Sequence, residues 1–153
     1  MGTTQRLGSA NFTVQTKIRR PIEEVFRAIV EPQQLARYFA DRADGPLQPD
    51  RTVVWHWREW GDYPVRVIQS QPPRLIELEW NSTEWKKTDG PGFPIRVRME
   101  LESLADGATL LKISESGWPA NAAGLKGSHE NCSGWTHMGL CLKAYLEHGL
   151  DLR

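Results

Sequence analysis

Residues 93–102, Phe93-Pro94-Ile95-Arg96-Val97-Arg98-Met99-Glu100-Leu101-Glu102, set apolar against charged or polar side chains in near-perfect alternation. Successive strand residues point to opposite faces, so Phe93, Ile95, Val97, Met99 and Leu101 share one face and the Arg and Glu residues the other. That is the pattern of a sheet with one side on a core and the other in water. Outward from it, residues 52–60, 63–71, 74–81 and 109–117 read as further strands, separated by turn chemistry such as Gly61-Asp62, Pro72-Pro73 and Asp106-Gly107. Phe12, Val14, Thr16 and Ile18 alternate in the same way, giving about six strands. Pro21 then opens a short helix with Ile22, Val25, Phe26 and Ile29 on one stripe, and Pro32 a second with Leu35, Tyr38 and Phe39. From about Ala123 the period becomes helical, with Trp135, Met138, Gly139, Leu142, Tyr145 and Leu146 in one sector. A strand, two short helices, an antiparallel meander and a long C-terminal helix predict a single α+β domain over residues 11–150, a curved sheet wrapped around the helix. Residues 1–10 are expected to be a disordered N-terminal segment.

The charge balance narrows the partners. The 153 residues hold 19 Lys+Arg and 19 Asp+Glu, a formal net charge of +0, with no basic run. Nucleic acid and anionic membrane surfaces are therefore not expected, since both select clustered cations. No apolar run suggests a leader or an anchor, and a cytosolic location is expected. Trp occurs 7 times against Phe 4 and Tyr 3, and such rings either fill a core or line an apolar cavity.

Parity puts Val53, Trp55, Trp57, Val65, Val67, Ile76, Leu78, Trp80, Val97, Met99, Leu111, Ile113 and Glu115 on the inner face, with Arg66, Glu77, Glu79, Arg98 and Lys112 outside. The candidate ligand-binding set is Trp55, Trp57, Trp80, Val97, Met99, Ile113, Glu115, Trp135, Met138, Gly139 and Leu142; the opposing reading makes the tryptophans core filler. Gly139 either enlarges a cavity or lets the helix approach the sheet, because a helical glycine needs a compensating reason. Glu115 is the one weak catalytic candidate. An inward carboxylate either orients a polar ligand group and exchanges protons, or meets solvent or an Arg. Glu59 has the same two readings.

His129, Cys132, His137 and Cys141 are zinc-ligand types, yet along one helix His129 and Cys141 stand roughly 18 Å apart. The wheel turns His137, Cys141 and His148 outward, onto a face that with Leu140 and Ala144 would suit weak self-association. Both cysteines are expected as reduced thiols. No metal and no cofactor are expected: there is no Gly-x-Ser-x-Gly elbow and no phosphate loop.

Four runs carry a resemblance: residues 18–29 (Ile18-Arg19-Arg20-Pro21-Ile22-Glu23-Glu24-Val25-Phe26-Arg27-Ala28-Ile29), Pro72-Pro73-Arg74-Leu75-Ile76 leading to Trp80, Glu115-Ser116-Gly117-Trp118, and Gly134-Trp135 through Leu146. In this order the chain resembles the START-like SRPBCC superfamily, and within it the branch of activators of the heat-shock-protein-90 ATPase, over roughly residues 12–148. The resemblance implies a helix-grip fold with a cavity between sheet and helix. The expected function is non-enzymatic binding of a small hydrophobic or aromatic molecule by a monomer or weak homodimer. The alternatives are a co-chaperone acting on a chaperone partner and a cyclase or aromatase working in the same cavity.

Overall fold

The strands and helices form in the order expected, in a computed structural model that describes residues 10–87 and 90–153. The expected disordered segment lies outside the described residues except at Ala10, which is buried and accepts a hydrogen bond from Ser128 Oγ. The elements are β1 (Phe12–Ile18), α1 (Ile22–Val30), α2 (Pro32–Leu35), β2 (Arg42–Ala43), β3 (Thr52–Trp57), β4 (Gly61–Gln71), β5 (Leu75–Asn81), β6 (Pro94–Ser103), β7 (Thr109–Ser116) and α3 (Ala122–His148). The strands make one antiparallel sheet in the order β1-β7-β6-β5-β4-β3-β2. The first strand of the chain thus lies beside the last strand of the meander, pairing Val14 with Ile113 and Phe12 with Glu115.

Alternation sets the faces as the sequence predicts. Val53, Trp55, Val65, Val67, Ile76, Leu78, Trp80, Val97, Met99, Leu111 and Ile113 are all buried on the concave side. Each fully buried aliphatic side chain there contributes roughly 1.5–3 kcal/mol. On the opposite face Arg98 pairs with Glu77 and Glu100, and Arg96 with Glu79. Pro21 precedes α1, whose first turn carries Glu23 and Glu24, favourable at the positive end of the helix dipole. Asn121 caps α3, its side chain accepting from the Gly124 N–H at 2.8 Å. The helix ends at Gly149 with φ 65°, where the Gly149 N–H reaches Tyr145 O. None of the described helices is long and apolar enough to cross a membrane.

Three departures bear on the site. The sheet has seven strands rather than about six; the addition is β2, two residues pairing Arg42 with His56 and Ala43 with Trp55, too short to show a period. The second helix stops at Leu35, so Tyr38 and Phe39 are presented by the turns that follow it. Cys141 is buried rather than outward-facing, at 1% exposure. The reason is a second wall against the flank of α3: Tyr38 stacks on Tyr145 at 5.5 Å, and Arg153 is anchored to Ala40 O at 2.8 Å. His137 and His148 remain exposed, as does Leu140.

Candidate functional site

Between the β3–β4 end of the sheet and the flank of α3 lies a cleft of about 800 Å³, within the range of roughly 300–1,000 Å³ common for small-molecule sites. Its walls are largely aromatic. Trp57 comes from the end of β3, Trp60 from the β3–β4 turn, Tyr63 from β4, Trp85 from the turn after β5, Trp135 from α3, and Tyr38 and Phe39 from the turns after α2. The rings brace one another edge to face: Phe39 on Trp57 at 5.0 Å, Trp57 on Tyr63 at 5.3 Å and Tyr63 on Trp85 at 5.5 Å. Two of the indoles are tied to backbone, Trp57 Nε1 donating to Phe39 O at 2.8 Å and Trp85 Nε1 to Pro64 O at 2.9 Å. Trp60 is 58% exposed, so one wall presents a large apolar ring to solvent.

Charged groups ring this aromatic lining. Lys87 Nζ and Glu130 Oε2, 3.0 Å apart, bridge the turn after β5 to α3. Asp41 Oδ2 accepts from the Arg58 N–H at 2.7 Å, and Glu59 lines the same side. Lys86 Nζ sits 5.1 Å from the Tyr63 ring centre and donates to Trp60 O at 2.7 Å. His137 and Cys141 line the α3 side, with His137 Nε2 3.4 Å from Cys141 Sγ. Burial pushes the Cys141 thiol above its ordinary range. Both cysteines are free, and no cluster of three metal-ligating side chains occurs among the described residues.

The residues singled out from sequence divide between cleft and core. Trp57 and Trp135 line the cleft, as does Glu59. Trp55, Trp80, Val97, Met99, Ile113, Met138, Gly139 and Leu142 sit in the packed interior behind it. A Cβ at Gly139 would lie 2.6 Å from Thr16 Oγ1, so this glycine serves the close approach of α3 to β1. Gly127 does the same for the Trp118 ring, which occupies the space a side chain there would need.

Glu115 is enclosed at 1% exposure and holds the interior together. Its Oε1 accepts from Trp118 Nε1 at 2.7 Å and Asn131 Nδ2 at 3.0 Å; its Oε2 accepts from Trp135 Nε1 at 2.7 Å and Asn131 Nδ2 at 3.1 Å. Burial raises its carboxyl above the ordinary 4.5, and the donors from Trp135, Asn131 and Trp118 pull the other way. Each of these partners donates, which is the arrangement a carboxylate requires.

Tyr38, Phe39, Trp60, Tyr63, Trp85 and Lys87 line the cleft without being candidates on sequence grounds. Periodicity identifies Tyr63 only as the start of a strand, and it gives no direction to Lys87, which lies beyond the strand read over residues 74–81. Trp60 and Trp85 lie in turns, which have no period to reveal which way a ring points.

The sequence profile described as Activator of Hsp90 ATPase homolog 1-like protein matches residues 19–147. No curated protein matches the chain significantly. Among solved structures, the protein SSP2350 from Staphylococcus saprophyticus aligns with 20% identity and a TM-score of 0.75, covering 94% of this chain and 96% of that one. The Aha1 dimer from Colwellia psychrerythraea aligns with 18% identity and a TM-score of 0.72, covering 91% and 97%. DynU16, a putative protein in the dynemicin biosynthetic locus, aligns with 20% identity and a TM-score of 0.79, covering 94% of this chain and 49% of that one. At these identities the likenesses establish the fold.

Proposed function

This chain belongs to the Activator of Hsp90 ATPase homolog 1-like protein family, and we propose that within that fold it binds a small, flat hydrophobic or aromatic molecule in the cleft between β3–β4 and α3. The observation that carries the reading is the aromatic lining. Trp57, Trp60, Tyr63, Trp85 and Trp135 converge on one space of about 800 Å³, and Trp60 keeps most of its ring in solvent, where a large apolar surface is unfavourable. Binding is driven by apolar burial and ring stacking. Glu59 and Asp41 on one side and the Lys87–Glu130 pair on the other offer polar points that would orient a substituent. Glu115 acts through Trp135, whose indole N–H it fixes, and is a positioning residue for that wall.

The test is calorimetric titration with anilinonaphthalene sulfonate, comparing the wild type with Trp57→Ala and Trp60→Ala. Saturable binding that weakens in both variants supports the reading; no binding by a folded wild type sinks it. A second proposal follows from the family description, activation of an Hsp90-type ATPase by this chain. Unchanged chaperone turnover at saturating protein would remove it.

A further inference from the structure

Trp85 differs from the tryptophans it rests on in how it gets there. Trp55 and Trp80 are fixed on β3 and β5 and Trp135 on α3, whereas Trp85 is carried by the irregular turn after β5. That turn is pinned by the Trp85 N–H on Asn81 O at 3.1 Å and the Lys87 N–H on Ser82 O at 2.8 Å. From it the indole reaches inward to 8% exposure and lies on Trp80, ring centres 4.1 Å apart and planes 15° apart. It also meets Trp55 and Trp135, each at 6.3 Å, while forming part of the cleft wall. A flat ligand entering from the cleft would adopt this same face-on contact with Trp80.

The second observation concerns the rings on which Trp85 rests. Trp55 Nε1 and Trp80 Nε1 are buried and have no hydrogen-bond partner among the described residues, although Trp57, Trp85, Trp118 and Trp135 all place theirs on oxygens. Buried N–H groups without acceptors are costly and uncommon, and here both belong to rings that touch Trp85. An indole can stack on Trp80 but supplies no acceptor to either donor.

We propose that Trp85 is a displaceable occupant of a ligand subsite: a planar aromatic molecule bearing carbonyl oxygens takes its place face-on against Trp80 and accepts a hydrogen bond from the indole of Trp55, which is tilted to that plane. The exchange is ring for ring, so apolar burial is conserved and the added N–H···O bond from Trp55 supplies the preference for the ligand. Beyond its ring contacts, Trp85 is held by its Nε1 bond to Pro64 O, by the backbone bonds that pin its turn, and by the Lys87–Glu130 pair, which is partly exposed and so contributes little. The inference rests on the cleft reading above and adds the chemistry of the ligand.

The test compares anthraquinone sulfonate, planar with carbonyl acceptors, and anthracene sulfonate, the same outline without them, by calorimetry. Trp85→Ala, which no longer has an occupant to expel, is expected to bind the quinone about tenfold more tightly than the wild type. The quinone is expected to outbind the hydrocarbon severalfold in both proteins. Equal or weaker quinone binding by folded Trp85→Ala, or no preference for the quinone, overturns the proposal while leaving the cleft standing, because anilinonaphthalene sulfonate tests the cleft separately. Should Trp85→Ala fail to fold, hydrogen exchange of the wild type decides. Saturating quinone is expected to speed amide exchange across residues 82–87 as the turn moves out, and slower exchange there overturns the proposal.

Discussion

Trp135 Nε1 donates to Glu115 Oε2 at 2.7 Å, so a wall of the cleft is hinged on a carboxylate that the solvent does not reach. Trp118 and Asn131 complete the shell around the same group, joining the end of β7, the turn after it and α3. Glu115→Gln replaces one acceptor by an amide that points N–H at N–H. At neutral pH the variant is expected to lose about 1–3 kcal/mol of stability, the cost of a buried donor left without a partner.

The pH dependence of that loss has a defined sign. Burial raises the Glu115 carboxyl above 4.5, so folding favours its protonated form. The contribution of the group is full below the unfolded value and is lost as pH rises through the raised folded value. Glutamine does not titrate. The stability gap between wild type and Glu115→Gln is therefore expected to narrow as pH rises from below 4.5, in thermal melts of both proteins at matched pH. A gap that widened over that window would mean that the donors outweigh burial and hold the carboxyl down instead.

Gly139 tests how closely α3 lies on β1. A methyl group there meets Thr16 Oγ1 at 2.6 Å, so the hydroxyl must move although the helix gains propensity. Overpacking of roughly 1–3 kcal/mol against a gain of about 1 leaves Gly139→Ala less stable by around 1 kcal/mol. Pairing it with Thr16→Ala removes the obstructing oxygen. The double variant is expected to recover most of the loss, and additivity of the two changes in a denaturant-unfolding cycle would count against the contact.

His56 ties together the chain segments at the β2 edge. Its Nδ1 lies 2.6 Å from Asp62 Oδ1 and its Nε2 2.8 Å from Asp44 Oδ1. The bond to Asp62, with that to Asp44 in support, raises the imidazole above 6.5. Its stabilising contribution is accordingly full below 6.5 and lost as pH rises through the folded value, and on this wet edge it is under about 1 kcal/mol. An NMR titration of the His56 ring is expected to give a midpoint above 6.5 that falls in Asp62→Asn.

Parity is enough to bury Val53, Trp55, Val67, Leu78, Trp80, Met99 and Ile113 on one face, and it places Glu115 among them. It does not say what Glu115 meets. The partners at Trp118, Asn131 and Trp135 are brought together by the way α3 crosses the sheet, and only Trp118 lies near Glu115 in sequence. The cleft is less legible for the same reason. A helical wheel has one core direction, whereas α3 is covered on its sheet face and again on the flank, so Cys141 is buried at an angle the wheel assigns to solvent. Trp60 and Trp85 come from turns, where neither a period of two nor of 3.6 tells which way a ring points.

Trp60 separates binding from stability. Its ring is 58% exposed and meets Trp57 only at 6.3 Å, so its removal leaves the interior intact. Trp60→Ala is expected to change stability by no more than about 0.5 kcal/mol, as at other surface positions. The same substitution takes away an aromatic wall that a ligand in the cleft would cover, and a loss of roughly tenfold in anilinonaphthalene sulfonate affinity, about 1.4 kcal/mol, is expected. Trp57→Ala, half-buried and bonded to Phe39 O, loses affinity and stability together. Calorimetry beside thermal melts distinguishes the two patterns. Unaltered affinity in Trp60→Ala would mean that ligands sit deeper, toward Trp85 and Trp80, and that the exposed ring serves another contact.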